Sequence, residues 1–205
     1  MFSSLHSSPR VPMLALAGLS VLALAGCGGN YSASGPSLSS TGIGGATGTG
    51  GGGGGSFTAN FTAASGTNAN TSAFSTNIVG GVVTPPVQPI GSLLTLTAVT
   101  APSGGAARQF ILVIADTTLT VGKAYPLATD TNSLAYVDDT NVNSRDPKTQ
   151  LTWSSTGGTA TLDSISGKTY KFHVSAVPMG PSNGGPTTPG TGTFTVDGSG
   201  TATLP

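Results

Sequence analysis

Residues 169–177, TYKFHVSAV, contain the clearest alternating pattern in the chain. Successive side chains of a β-strand point to opposite faces. The pattern therefore places four apolar side chains on one face, those of Tyr170, Phe172, Val174 and Ala176. A stripe of this kind predicts a strand with one buried and one exposed face. His173 falls on the polar face, and we expect it to be exposed there.

Similar alternation recurs on both sides of this stretch, while helical periodicity is absent. It predicts further strands at residues 57–63, 94–98, 133–137, 151–154, 160–163 and 194–196. Residues 108–115, RQFILVIA, are apolar at consecutive positions, which predicts a strand in the middle of the core.

Three segments interrupt this pattern. Residues 64–91 are rich in proline near their end, which favours an edge strand or an extended crossing loop. Asp197-Gly198 is a dipeptide typical of hairpin turns, so we predict a turn there. Residues 178–190, PMGPSNGGPTTPG, predict a long loop that forms either a variable insertion or a functional rim.

Threonine, valine and aromatic residues dominate the predicted strands, and the chain contains no glutamate. Gly, Pro, Asn and Asp separate the strands, as turn residues do. We therefore predict an all-β fold for residues 57–205, an antiparallel β-sandwich or barrel of seven to nine short strands.

The N-terminus has the layout of an export signal. Residues 1–10 carry Arg10 and no acid, and residues 11–26 are almost entirely small and apolar. Leu24-Ala25-Gly26-Cys27 resembles the bacterial lipobox, which implies cleavage before Cys27 and attachment of lipid to its thiol. The alternative is an ordinary signal peptide cut after Ala25, with Cys27 unmodified. The apolar run is shorter than the roughly 20 residues that span a bilayer.

Residues 27–56 follow as a predicted flexible linker of Gly, Ser and Thr, because such residues bury too little apolar surface to order the chain. A linker of this length has a typical reach of about 30 Å. Removal of residues 1–26 from the 205 residues leaves 179. Arg10 is lost with them, so six basic residues face seven aspartates and the formal charge is −1.

The succession LTVGKAYPL (119–127), LAY (134–136), TGGTATLDSI (156–165), KFHVSA (171–176) and GTFTV (192–196) is similar to small secreted bacterial domains of unknown function. Their motifs run G-x-Y-x-L, A-x-Y, G-T-x-T-I and G-T-F-x-F, and the similarity covers roughly residues 92–200. This resemblance implies a β-sandwich and an extracytoplasmic location. It supplies no catalytic residues.

The best polar cluster is residues 138–146, DDTNVNSRD. Asp139, Asn141 and Asn143 occupy positions one, three and five of a calcium-loop pattern, so they are candidate calcium ligands. The pattern then departs from a calcium loop, because Ser144, Pro147 and Gln150 stand where glycine, a ligand and glutamate are expected. The alternative is a solvated hairpin loop.

Other chemistry has little support in the sequence. Gly180-Pro181-Ser182-Asn183-Gly184 matches the G-x-S-x-G elbow, but no histidine follows Ser182. Beyond the signal, His173 is the single histidine, and lipidation of Cys27 leaves no thiol, so neither a usual zinc site nor a disulfide is expected. Charged residues make up 7% of the chain, and there is no basic patch for nucleic acid.

We therefore expect no catalytic residues and a non-enzymatic structural, adhesive or interaction role. A carbohydrate- or calcium-dependent binding module is the alternative, and a hydrolase is a remote one. The expected partners are a membrane, through the lipid, and a surface glycan or envelope protein. The expected location is the cell envelope, at the outer membrane if there is one.

Overall fold

A computed structural model describes residues 54–87, 91–101, 103–129, 131–142, 147–182 and 187–205. The signal peptide, Cys27 and the linker up to residue 53 lie outside the described residues. Asn143 also lies outside them. The predictions about these parts of the chain therefore stay predictions.

The predicted all-β fold is confirmed. Among the described residues, nine strands have six residues or more: β1 (Gly55–Ser65), β3 (Val79–Val87), β4 (Gly91–Val99), β5 (Ala107–Asp116), β7 (Ser133–Asp139), β8 (Gln150–Ser155), β9 (Thr159–Ser166), β10 (Thr169–Pro181) and β12 (Thr193–Thr203). Three are shorter: β2 (Phe74–Thr76), β6 (Ala124–Pro126) and β11 (Thr188–Pro189). The helical structure within the described ranges is one 3-10 turn, Pro147–Thr149.

The strands form one sheet in the order β2-β1-β12-β10-β8-β7-β5-β4-β3. Neighbours on this path are antiparallel, and β9 extends the sheet from β10 to β6. β2 pairs with β1 at one end of the path, and β3 pairs with β4 at the other. Because only Asn77 and Ile78 separate β2 from β3, one chain segment connects the two ends of the sheet.

The sheet folds into two walls that enclose a single core. Phe57 of β1 lies 5.4 Å from Phe110 of β5, measured between ring centroids, and Phe194 of β12 lies 5.7 Å from Tyr136 of β7. These strands are not neighbours in the sheet, so the rings meet across the interior. Edge-to-face aromatic pairs of this kind add to the stabilisation from burial.

The predicted turn at Asp197-Gly198 is wrong. Both residues lie inside β12, which runs unbroken from Thr193 to Thr203. Gly198 is needed there because a Cβ at this position would lie 2.9 Å from the ring of Phe57. The glycine that suggested a turn leaves room for a neighbouring ring in the core.

On two strands, the last residue of the apolar stripe that we predicted to face the core is exposed instead. Ala176 is exposed and has a φ of 46°, because a β-bulge shifts the register of β10 between Val174 and Val177. Val177 is buried in its place. Ala63 is likewise exposed, with a φ of 50°, at an irregularity in β1. Each bulge inserts a residue and reverses the alternation after it.

The proline-rich segments gave mixed outcomes. β3, within residues 64–91, lies at the end of the strand path, as the proline content predicted. The prediction of a loop over residues 178–190 is wrong at both ends. β10 continues to Pro181 and pairs there with β8, and β11 pairs with β8 in parallel. Proline is tolerated in these short pairings because the N–H groups that donate to β8 belong to the residues after Pro181 and Pro189: Ser182 and Gly190 both donate to the carbonyl of Thr152.

Candidate functional site: a histidine–aspartate pair on a polar face

The outer surface of β9, β10, β12 and β1 is lined by polar side chains. These strands alternate, so their apolar residues enter the core and the residues between them face outward. We call this surface the polar face, and it consists of Thr161, Asp163, Lys171, His173, Ser175, Asp197, Ser199, Thr201, Thr58 and Asn60. Hydroxyl groups that both donate and accept hydrogen bonds account for half of it.

His173 lies near the middle of this face. The registers place Thr161, His173, Ser199 and Thr58 in one row across four strands. Its location confirms the prediction that His173 lies on the polar side of β10, and its side chain is 40% exposed.

A β-bulge brings Asp163 to His173. Lys171 pairs with Ser164 while Phe172 pairs with Leu162, so Asp163 is the extra residue between them. Its Oδ1 lies 2.6 Å from Nδ1 of His173. Bulges commonly redirect a side chain in this way, and here the result is a carboxylate in direct contact with an imidazole.

The pair fixes the orientation of the imidazole. When Nδ1–H donates to Asp163, Nε2 can accept a hydrogen bond from another group, and the side chain of His173 is 40% exposed. Hydrolysis would further require a hydroxyl bonded to this ring and donors for an oxyanion. Ser199 is the register neighbour of His173, but no hydrogen bond joins them among the described residues. The observed geometry is a carboxylate–imidazole hydrogen bond on a partly exposed sheet surface.

The predicted calcium ligands that the structure describes lie at the start of the β7–β8 connection. Asp139 ends β7, and its Oδ1 accepts hydrogen bonds from the backbone N–H of Asn141 at 3.0 Å and from Oγ1 of Thr149 at 3.2 Å. Oδ2 lies 3.4 Å from Nε2 of Gln150. These contacts hold the connection together. No group of three His, Cys, Asp or Glu side chains suited to a metal occurs within the described residues.

Asp138 points the opposite way from Asp139 and is 7% exposed. Burial raises the pKa of its carboxyl group above the ordinary value of 3.8, and the nearby Arg108 and the N–H of Asn70 oppose this rise. Sequence reasoning placed Asp138 in a solvated loop. The odd–even alternation of β7 carries the signal for its burial, because Leu134, Tyr136 and Asp138 share one face.

Four aromatic side chains are candidates for stacking on a sugar: Trp153, Tyr125 and Tyr136 are in the core, and Tyr170 is partly buried against it. Trp153 and Tyr136 are fully buried and Tyr125 is 2% exposed. Their polar atoms bond to backbone: Nε1 of Trp153 donates to the carbonyl of Thr191, and Tyr125 Oη accepts from the N–H of Thr120. Stacking on a sugar would require these rings to be uncovered.

Comparison of the chain with protein-family models, with curated proteins and with solved structures finds no match. In the ranges that the structure covers, no helix has the length and hydropathy needed to cross a bilayer.

Proposed function

We propose that this chain is a lipid-anchored cell-envelope protein with a non-enzymatic structural, adhesive or interaction role. Its N-terminal sequence supports export and lipidation at Cys27. Its glycine-rich linker supports display of the folded domain about 30 Å from the membrane. The anchor is the membrane partner, and the domain contacts a second partner in the envelope.

The polar face is the main support for the proposed interaction role. It presents hydroxyl groups, one oriented imidazole and Lys171 on strands that the sheet holds rigidly. Such a surface offers hydrogen bonds to a polar partner such as a glycan or a polar protein surface. The domain core is filled by packed aromatic rings, which supports work at the surface rather than in an internal cavity.

The anchor is tested by expressing the full chain and a Cys27→Ser variant, followed by membrane fractionation and mass spectrometry of the mature N-terminus. We expect the wild-type chain in the membrane fraction, with acyl chains on Cys27. The variant should leave that fraction. An unmodified Cys27 thiol in the mature wild-type chain would refute the anchor.

The interaction role is tested by sedimentation of the purified chain with isolated envelope material. The double variant Lys171→Glu/His173→Ala changes the polar face and leaves the core untouched. We expect it to bind at least tenfold more weakly than the wild-type chain. Gln109→Glu, on β5 of the opposite wall, is the matched control and should bind normally. Equal binding by all three chains would exclude the polar face.

Calcium-dependent binding is a second proposal, supported by the proximity of Asp139 and Asn141 at the β7–β8 connection. Calcium bound there would add a ligand to the native state alone and so raise its melting temperature. A calcium titration of the wild-type chain and of Asp139→Asn tests this. An unchanged melting temperature in the wild-type chain would remove the proposal.

A further inference from the structure

The segment between β1 and β2 contains Asn70-Thr71-Ser72, the N-x-S/T pattern at which asparagine side chains of exported proteins accept sugars. A pattern this short also occurs by chance, so the geometry of the motif decides whether it is a site. Asn70 and Ser72 are both exposed. The pairings of β1 and β2, as far as the structure describes these strands, include neither residue. An enzyme can therefore reach both side chains without opening the sheet.

The serine of this motif is bonded to the asparagine that would be modified. Oγ of Ser72 lies 2.7 Å from Oδ1 of Asn70 and donates to it, because an amide oxygen is an acceptor. The backbone N–H of Ser72 donates to the same oxygen at 3.2 Å. Two donors on one oxygen bend the segment into an Asx turn. Both bonds end on Oδ1, so they leave the amide nitrogen Nδ2 of Asn70 on the open side of the turn.

Side chains from β5 and β7 hold this turn in place. Nη1 of Arg108 donates to Oγ of Ser72 at 3.2 Å, so the hydroxyl accepts from a cation while it donates to Asn70. Such a chain of hydrogen bonds strengthens the bond that the hydroxyl donates. The backbone N–H of Asn70 donates to Oδ2 of Asp138, and its carbonyl accepts from Oη of Tyr136, both at 2.8 Å. The folded chain therefore presents the motif in one arrangement.

This arrangement suits the transfer of a sugar to an amide. The lone pair of Nδ2 is delocalised into the carbonyl group, which makes the nitrogen a weak nucleophile. A hydroxyl that donates to Oδ1 draws electron density towards the oxygen and makes the N–H groups of Nδ2 more acidic. When Nδ2 attacks C1 of a sugar held on a lipid pyrophosphate, an N–C1 bond forms and the C1–O bond breaks. The pyrophosphate leaves with the electron pair, and one proton of Nδ2 passes to a base of the transferase.

A second motif of the same pattern, Asn60-Phe61-Thr62, has a different geometry. It lies inside β1, where Asn60 is paired with Asp197 of β12. Residues two apart in a strand are separated by about 7 Å. The sheet therefore keeps Thr62 extended away from Asn60, and β1 would have to leave β12 before this motif could bend. A third motif, Asn30-Tyr31-Ser32, lies in the linker outside the described residues.

We propose that Asn70 carries an N-linked glycan in the mature chain. A transferase outside the cytoplasm attaches it to Nδ2 from a sugar on a lipid pyrophosphate, and Ser72 is the positioning residue for the amide. This proposal rests on the export that we propose from the N-terminal sequence. It does not depend on lipidation of Cys27 or on the role of the polar face.

Mass spectrometry of the full chain, purified from the cells that naturally produce it, tests the proposal. Chymotrypsin cleaves after Phe57, Phe61 and Phe74, so it separates residues 58–61, TANF, from residues 62–74, TAASGTNANTSAF. We expect the mass of a glycan on peptide 62–74, located at Asn70 by fragmentation, and the unmodified mass for peptide 58–61. An unmodified peptide 62–74 would overturn the proposal. Equal occupancy of both peptides would overturn the argument from geometry.

The same sample separates this proposal from the proposed anchor. Its N-terminal peptide reports whether residues 1–26 are removed and whether Cys27 carries lipid. Lipid on Cys27 beside an unmodified Asn70 would overturn the glycan alone. A glycan on Asn70 beside an unmodified Cys27 thiol would overturn the anchor alone.

Variants expressed in the same cells test the role of the hydroxyl. Ser72→Ala removes it and should lower the occupancy of Asn70 about tenfold or more. Ser72→Thr keeps a hydroxyl and is the matched control, which should be modified as the wild-type chain is. Asn70→Gln moves the amide by one methylene group and should lose the glycan, which keeps the test valid if Ser72→Ala does not fold. Wild-type occupancy in Ser72→Ala, or a glycan on peptide 62–74 of Asn70→Gln, would overturn the proposal.

Discussion

Strands β5 and β12 lie in opposite walls of the domain and fill the interior in different ways. β5 contributes large side chains of its own, those of Phe110, Leu112 and Ile114. β12 contributes Phe194 and Val196 near its start, but its middle has Gly198 and Gly200, and rings from neighbouring strands occupy the space above them. A strand with large apolar side chains of its own, such as β5, can be recognised from its sequence. The middle of β12 has glycines beneath the rings of other strands, so its sequence resembles that of a turn.

The largest expected effect comes from removing a ring that β5 supplies. Phe110 is 2% exposed and contacts Phe57, Phe61, Phe74 and Tyr136. We expect Phe110→Ala to lower the free energy of unfolding by about 3–5 kcal/mol, because it leaves a cavity. Val113→Ala, on the outer face of β5, is the control and should lose about 1 kcal/mol. Urea denaturation measures both, and equal losses would contradict the assignment of inner and outer faces.

The next effect comes from adding a methyl group where β12 has none. A Cβ at Gly200 would lie 2.9 Å from the rings of both Phe57 and Phe172 and 2.7 Å from the carbonyl oxygen of Ser56. We expect Gly200→Ala to cost about 1–3 kcal/mol by overpacking. Gly54 has open space around its Cα, so Gly54→Ala should change stability by less than about 0.5 kcal/mol. Full stability of Gly200→Ala would show that the rings can move aside.

A smaller effect of opposite sign is expected at the bulge beside β12. Ala176 has a φ of 46°, and its N–H donates to Oδ1 of Asp197 at 2.8 Å. A left-handed backbone is unfavourable for alanine, so Ala176→Gly should stabilise the fold by about 0.5–1 kcal/mol. Ala64→Gly, at an exposed position of β1, should destabilise it by a similar amount. Melting temperatures that move in the same direction for both variants would refute this explanation.

The smallest effect is on the pH dependence of the free energy of unfolding. Two aspartates near opposite ends of β5 should contribute to it in opposite directions. Lys123 lowers the pKa of Asp116 from its ordinary value of 3.8 through their hydrogen bond. The ionised carboxylate therefore stabilises the fold at pH values above 3.8, and this contribution is lost as the pH falls below 3.8. Burial raises the pKa of Asp138, so the folded chain holds more protons and loses stability as the pH rises above 3.8.

Urea denaturation between pH 3 and pH 7 separates these two contributions, because that of Asp116 is lost below pH 3.8 and that of Asp138 is lost above it. Asp138→Asn keeps an oxygen for the N–H of Asn70 and should remove the loss of stability at higher pH. Asp116→Asn should remove the loss at lower pH. Identical pH profiles for both variants would mean that neither shift affects folding.

The sequence predicted the fold class and the core of β5, β7 and β8, because the apolar run of β5 and the alternation of β7 and β8 reflect which residues these strands bury. It failed at Asp197-Gly198 and at Ala176, where a contact with a distant strand decides the local structure. A side chain at residue 198 would meet the carbonyl oxygen of Thr58 and the ring of Phe57, both on β1, and no local pattern near residue 198 reports them.

The His173–Asp163 pair was missed although the sequence contains its signal. Gly167 and Lys168 form a two-residue turn, and a regular hairpin from it would place Leu162 opposite His173. The hydrophobic pattern requires Leu162 to share a face with Phe172 instead. One extra residue must therefore be inserted, and it is Asp163. The hydrogen bond from the N–H of Asn70 to Asp138 had no such signal, because these residues meet only in the folded chain.

The pairing of β1 with β12 has a consequence for biogenesis. These strands come from opposite ends of the domain, so the sheet cannot be completed until the last residues are available. A chain exported N-terminus first would present β1 outside the cytoplasm long before its partner arrives. Contacts this distant in sequence slow folding. If this chain is exported as we propose, the completed domain would form only after translocation ends, and until then β1 and its exposed edges would depend on protection from aggregation.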